Sequence, residues 1–133
     1  MKGSTVRKGT MWSIQILLAM VFISVGMAKL TGVEAMVQMF RQIGLGQWFR
    51  YFTGAIELVS GLLMFSAAYA PVGATLLVCT MIGAVLTHLF LIGGSAMPAF
   101  LLGALSGILL VLKRNEMRQL SSEVTHIKFK RSA

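Results

Sequence analysis

The chain has 133 residues, of which 56% are hydrophobic and only 12% are charged, and its mean hydropathy is +0.81. A soluble globular domain carries about 25% charged residues, so this composition argues against a water-soluble monomer, while its high hydrophobicity excludes intrinsic disorder. The net charge of +8 comes mainly from the two ends of the chain, which leaves no basic face with stacking aromatics for nucleic acid. The sequence therefore predicts an all-α membrane protein whose main partner is the lipid bilayer.

Four apolar stretches are long enough to cross a bilayer, which takes about 20 residues. The predicted transmembrane helices are 10–28, 51–70, 72–92 and 95–112, arranged as an antiparallel bundle. Pro71 separates the second from the third, because proline suits the first turn of a helix but cannot continue one. The first stretch also has the pattern of a signal peptide, but Lys29 and another helix-like segment follow at once, so we expect it to be retained.

Basic residues are concentrated at the two termini, since residues 1–9 and 113–133 hold nine of the twelve Lys and Arg. Four crossings place both termini on one side, and the positive-inside rule assigns that side to the cytoplasm. We therefore expect a multi-pass protein of the cell (inner) membrane with both termini cytoplasmic. The tail 113–133 is predicted to be solvated or bound to the membrane surface; its alternation over 124–130 leaves a partner-docking strand as the alternative.

The one long connection, residues 31–50, is predicted to lie on the outer face. Val33, Met36, Val37, Phe40 and Ile43 recur at helical spacing with polar residues between them, which predicts a short amphipathic helix. Such a helix can lie in the outer membrane interface or fold over the helices as a lid, and the sequence does not separate these two arrangements.

Three ionisable side chains fall inside the predicted spans or at the end of one; such a side chain costs about 2.5–3.5 kcal/mol at a helix centre on insertion scales. Lys29 lies at the outer end of the first span, Glu57 roughly 9 Å and His88 roughly 6 Å below the outer boundary, so all three occupy the outer third of the bilayer. Small residues flank Glu57 and predict that it faces the interior, with Lys29 and His88 as partners. The remaining predicted members of this site carry hydroxyl groups: Ser24, Thr53 and Thr87.

Each of these residues also has a purely structural interpretation. Lys29 and Glu57 can form an ion pair that fixes the helices, and His88 can be a satisfied interior histidine. Cys79 is the single cysteine; it excludes an intrachain disulfide and is predicted to be a small core side chain. One buried His and one buried Glu are too few for a metal cage, so we expect no metal site.

Two motifs carry a resemblance to a known family. They are Gly26-Met-Ala-Lys29-Leu in the first span and Gly54-Ala-Ile-Glu57-Leu-Val-Ser-Gly61-Leu in the second, with a histidine late in the third. With these motifs the chain resembles the DoxX-like family of small four-helix membrane proteins from about Trp12 to Leu112. The basic tail lies outside the resemblance.

The resemblance implies a link to membrane redox chemistry, because the family takes its name from a subunit of a thiosulfate:quinone oxidoreductase. Other members resemble accessory proteins connected with oxidative stress or quinones. For this chain the resemblance implies a bound quinone or other lipophilic molecule rather than an intrinsic cofactor. It further implies a soluble or membrane redox partner at the cytoplasmic face. The family resemblance also includes Lys29, Glu57 and His88, but it does not define a role for them.

Three functions therefore remain open. The first is a non-catalytic subunit that holds a quinone or anchors a redox partner. The second is an intramembrane enzyme of the isomerase type, with Glu57 and His88 as acid and base on a lipophilic substrate. The third is a structural, assembly or permeation protein in which Lys29 and Glu57 lock the helices. Four short helices enclose little interior, so we expect a homo-oligomer formed through spans rich in small residues.

Overall fold

The computed structural model describes residues 2–132, except for the side chains at 116, 117, 119 and 120. Its elements are α1 (Lys2–Thr31), α2 (Glu34–Ile43), α3 (Gln47–Leu63), α4 (Ala70–Thr87), a π-helical turn (His88–Ile92) and α5 (Met97–Ser132). No strand occurs within residues 2–132, so the all-α prediction is confirmed. The alternative that residues 124–130 form a docking strand is wrong, because this segment continues α5 as helix.

Three of these elements are long and apolar enough to cross a membrane: Lys2–Thr31, Ala70–Ile92 and Met97–Asn115. The second of them joins α4 to the π-helical turn. α3 is not among them, since it has 17 residues and therefore a length of about 25 Å. It begins and ends earlier than the predicted span 51–70, and residues 64–69 form a turn instead of continuing the helix.

Neighbouring long helices run in opposite directions. Gln15 of α1 contacts Met64 just after α3, whereas Lys29 at the other end of α1 contacts Glu57. The 64–69 turn brings α4 back along α3. Pro71 lies in the first turn of α4, where its missing N–H is not needed. Gly93 and Gly94 then reverse the chain before α5 with φ values of 67° and 78°, a backbone region that favours glycine.

The packed helices have two distinct ends. We call the end that carries α2 the α2 end, and the opposite end, where α1 begins and α5 projects, the termini end. α2 is connected to α3 through Gly44 and Gly46, whose φ values are 81° and 90°. The backbone N–H of Gly44 donates to the carbonyl of Phe40 at 3.3 Å and so terminates α2 in a left-handed cap.

The distribution of polarity suits a lipid environment. Large apolar side chains point outward, with Leu17 61%, Phe90 78% and Ile108 55% exposed. Several polar side chains are fully buried instead: Gln15, Glu57, Ser60 and Ser106. Between them lies one apolar core contributed by α1, the α3–α4 region and α5, comprising Leu18, Ala19, Phe22, Met64, Leu77, Met81 and Leu109.

Candidate functional site

The site begins with an unusually close approach of α1 and α3. A Cβ atom added to Gly26 would lie 2.8 Å from the carbonyl oxygen of Gly54 and 2.8 Å from the backbone nitrogen of Leu58. One added to Gly54 would lie 2.8 Å from Cβ of Lys29, and one added to Gly61 2.8 Å from a side-chain carbon of Ile23. Small residues permit such backbone contact between helices. The glycines of both motifs therefore set the distance between the two helices.

Three residues after each of two glycines comes a charged side chain, and these two charges meet. Lys29 Nζ lies 2.7 Å from both Oε1 and Oε2 of Glu57. The carboxylate is fully buried, and the lysine side chain is 12% exposed. Charge-assisted bonds to both oxygens compensate part of the cost of burying the two ions. Nζ also lies 5.8 Å from the ring centroid of Phe40, so α2 covers the pair.

Arg50 extends this charged cluster toward the end of α1. Its side chain is 4% exposed, and its guanidinium donates to the carbonyl of Lys29 and, through Nε, to Oε1 of Gln47 at 2.7 Å. It also stacks over the ring of Tyr51 at 4.3 Å. Carbonyls in the last turn of a helix have no partner within the helix, so Arg50 satisfies one of them and joins the end of α1 to the start of α3.

A cavity of about 370 Å³ opens beside the ion pair. Lys29 and Glu57 are its charged lining residues, and Thr53, Thr80, Thr87 and His88 add polar groups. The rest of the wall is largely apolar and includes side chains from α2, α3, α4 and the π-helical turn: Met39, Phe40, Ile43, Phe49, Phe52, Ile56, Ala84 and Ile92. We call this space the α2-end cavity. Its lining residues Phe52, Cys79 and Gly83 are exposed, so it opens sideways between α3 and α4.

Five of the six predicted site residues line this cavity, and Ser24 does not. Ser24 is exposed, and its hydroxyl donates to the carbonyl of Met20 in its own helix. The hydroxyls of Thr53 and Thr87 also donate to carbonyls of their own helices, so each presents its oxygen as an acceptor. His88 is half-buried, with Nδ1 3.2 Å from the carbonyl oxygen of Gly93. The imidazole is thereby oriented by the turn that ends the π-helical segment.

The amphipathic segment predicted between residues 31 and 50 forms α2 and lies over the cavity. Phe40 and Ile43 of its apolar stripe are buried and form part of the cavity wall. Trp48, at the start of α3, is 64% exposed. Of the two arrangements that the sequence left open, the structure therefore has α2 folded over the helices.

Sequence reasoning missed three features of the site. Arg50 was counted only as a loop cation, although it precedes Glu57 by seven residues and thus shares its helix face. Cys79 was predicted to be a core side chain, but it is exposed and lines the cavity. The aromatic lining of Phe49 and Phe52 gave no sequence signal, because aromatic residues are equally expected at a membrane interface.

The cavity combines charged and hydrogen-bonding side chains with apolar walls and an open side, which suits the head group of an elongated lipophilic molecule. Both carboxylate oxygens of Glu57 are engaged by Lys29, so the carboxylate is held in place rather than left free. Among the described residues, no group of three or more His, Cys, Asp and Glu side chains could hold a metal ion.

Comparison with known proteins places the chain in a family. It is 32% identical over 74 residues to a protein of Bacillus subtilis (strain 168) named "Putative oxidoreductase CatD", which covers 56% of this chain and 55% of that protein. The chain thus matches about half the length of this relative. No solved structure matches it. The sequence profile of the DoxX-like family matches residues 13–113, a region that contains Ala70–Ile92 completely, most of the other two long apolar helices, and both glycine motifs. The chain is a membrane protein and belongs to the DoxX-like family.

Proposed function

We propose that this protein is a non-catalytic subunit or accessory protein of membrane redox chemistry, and that its α2-end cavity holds the polar head of a quinone or similar lipophilic molecule. The observation that carries the proposal is the composition of the cavity wall. An ion pair whose carboxylate is fully buried and an imidazole line a space of about 370 Å³ whose other walls are mostly apolar. A quinone combines carbonyl acceptors with an apolar ring and tail, and this wall offers partners for both.

The proposal includes four membrane crossings by α1, α3, α4 and α5. α3 is short, but it is packed between α1 and α4, and the 64–69 turn completes its passage through the bilayer. Nine of the twelve basic residues then lie at the termini end, which the positive-inside rule assigns to the cytoplasm of a cell with this protein in its inner membrane. The α2-end cavity therefore lies in the outer part of the bilayer.

The accessory role is supported by what the site lacks for independent turnover. Glu57 is paired through both oxygens, so it is poorly placed to act as a free base in an isomerase. The name of the Bacillus subtilis relative refers to an oxidoreductase, and a redox partner is the simplest source of electrons for a quinone held here. The basic termini, at the opposite end, offer a surface to such a partner.

The test is mass spectrometry of lipophilic molecules that co-purify with the protein in mild detergent. Wild type is compared with Glu57→Gln and His88→Ala, and with Ser24→Ala as a matched control, because Ser24 lies outside the cavity. We expect a quinone or related isoprenoid to be enriched in wild type and in the control and to be lost in both cavity variants. Bulk phospholipid alone in all four samples would contradict a cavity ligand.

The same preparation separates the accessory role from an enzyme. The purified protein is incubated with the co-purified molecule in the absence of any partner. No conversion is expected from an accessory subunit, whereas time-dependent conversion that disappears in His88→Ala would favour the isomerase alternative. The folding of every variant is checked by gel filtration and circular dichroism, so loss of the ligand is not confused with loss of structure.

A structural role of the ion pair is a second candidate, favoured by the contact of Lys29 with both oxygens of Glu57 at 2.7 Å. In this function the pair locks α1 against α3, and the protein serves assembly rather than ligand storage. An interior ion pair specifies which helices pack together, because any other arrangement leaves a buried charge without its partner. If the pair has this structural role, the stability of the protein depends on both Lys29 and Glu57, whether or not the cavity holds a ligand.

A further inference from the structure

A second recess lies at the termini end, between the first turns of α4 and the middle of α5. It has a volume of about 570 Å³. Pro71 and Thr75 of α4 and Leu110 and Val111 of α5 line one part of it, and Arg114 and Arg118, which follow farther along α5, line another. We call this recess the termini-end groove. It shares no lining residue with the α2-end cavity.

The two arginines present their charges on one face of α5. They are four residues apart, so their side chains lie one above the other on the helix, above the apolar part of the groove. Both are exposed, and neither has a hydrogen bond or ion pair with any described side chain. Two adjacent guanidinium groups that have no carboxylate partner among the described side chains form a strong site for an anion with several oxygens.

The groove lies at the depth where lipid head groups are expected. Lys113, the residue before Arg114, places its Nζ 5.2 Å from the ring centroid of Trp12. Trp and Lys are typical of the membrane–water interface. Tyr69, at the start of α4, is 60% exposed at the same end. The apolar lining thus faces the acyl region, and the arginines extend into the head-group layer.

We propose that the termini-end groove binds an anionic phospholipid, with the phosphate held by Arg114 and Arg118 and an acyl chain lying along Leu110 and Val111. Basic pockets between transmembrane helices on the cytoplasmic side are the usual sites for such lipids. A free phosphate would use only the arginines. A phospholipid also uses the apolar part of the groove, and its chemistry matches both the charge and the depth of the site.

The test measures lipid binding to the full-length protein in mild detergent by native mass spectrometry. Dihexanoyl phosphatidylglycerol is compared with dihexanoyl phosphatidylcholine and with inorganic phosphate. The proteins are wild type, the double variant Arg114→Gln/Arg118→Gln, and the control Lys128→Gln/Lys130→Gln. The control removes the same charge from the same helix, but its two residues do not line the groove.

We expect phosphatidylglycerol to bind wild type and the lysine control equally and to bind the arginine variant about 30-fold more weakly. Phosphatidylcholine should bind all three proteins weakly, because it carries no net charge. Equal losses in the arginine and lysine variants would overturn the proposal, since they would indicate general attraction to a basic tail. Inorganic phosphate that bound as tightly as phosphatidylglycerol would also overturn it, because the apolar part of the groove would then contribute nothing.

Phospholipid binding in the termini-end groove is independent of the ligand in the α2-end cavity. The arginine variant leaves Glu57 and His88 intact, so it should retain the co-purified lipophilic molecule even when it has lost the phospholipid. Because both arginines are exposed, the substitutions are expected to leave the fold unchanged, and gel filtration with circular dichroism checks this directly.

Discussion

The two ends of the molecule treat polar groups in opposite ways. At the α2 end, buried charges are paired inside the protein, where Lys29 meets Glu57 and Arg50 meets the end of α1. Toward the termini end, the exposed basic residues face outward, while the buried polar atoms Gln15 Oε1 and Ser60 Oγ have no partner among the described residues. Both ends belong to the same packed helices. They differ in whether the buried polar groups have partners inside the protein.

The buried polar groups at the two ends are expected to have opposite effects on the stability of the fold. A buried charge with a good partner becomes essential, because removing either member leaves the other uncompensated. A buried polar atom without a partner costs free energy, and its removal can be neutral or favourable. The α2 end should therefore be sensitive to polar-to-apolar substitutions that the termini end tolerates.

The largest effect is expected when the ion pair is broken on one side. Glu57→Met or Lys29→Met alone should lower the free energy of unfolding by about 3–5 kcal/mol, because each leaves a buried charge without its partner. The double variant should recover most of this loss. Reversible unfolding in mixed micelles measures all four proteins. A double variant less stable than both single variants would refute the ion-pair interpretation.

The next largest effect concerns the distance between α1 and α3. Gly26→Ala should destabilise the protein by about 1–3 kcal/mol, because the new methyl group would meet the backbone of α3 at 2.8 Å. Gly107→Ala is the matched control, since a Cβ there would lie 4.0 Å from Val78 in ordinary contact. We expect thermal unfolding in detergent to distinguish the two variants. Equal stability would mean that the close approach at Gly26 does not restrict the helices.

A smaller effect is expected when the α2-end cavity is filled without disturbing the ion pair. Gly83 lines the cavity, and a Cβ added there meets nothing within 4 Å. Gly83→Leu should therefore reduce the co-purified lipophilic molecule about tenfold, which corresponds to about 1.4 kcal/mol. Mass spectrometry of the extract measures this, with Ser24→Leu as the control outside the cavity. Full retention of the molecule would place the ligand elsewhere.

The smallest effect concerns an orphaned polar atom toward the termini end. Ser60→Ala should leave stability unchanged or raise it by up to about 1 kcal/mol, because it removes a buried hydroxyl that has no partner among the described residues. Ser106→Ala is the control, since its hydroxyl donates to the carbonyl of Leu102 in its own helix at 2.8 Å. A large loss of stability in Ser60→Ala alone would show that this hydroxyl has a partner and would weaken the contrast between the two ends.

Helix positions were predictable from the sequence where the signal was local. Proline at 71, the glycines at 93 and 94, and the stripe from Val33 to Ile43 each act within a few residues, and each marks the element observed there. The early end of α3 at Leu63 was not predictable in this way. Residues 64–69 are as apolar as the helix before them, so hydropathy cannot distinguish a turn between packed helices from a continued span.

The sequence by itself determined the class of protein, the amphipathic α2 and the residues able to form a charged site, because composition and hydrophobic periodicity follow directly from residue type. It also contained both glycine motifs, which mark where helices can approach. Only the tertiary structure decided which helix faces meet. It brought Lys29 against Glu57 and buried Arg50 at the end of α1. It also turned Ser24 away from the site and opened the α2-end cavity between α3 and α4. These outcomes depend on the rotation and separation of whole helices, which no local sequence pattern encodes. Backbone contact at Gly26, Gly54 and Gly61 sets that rotation and separation for α1 and α3.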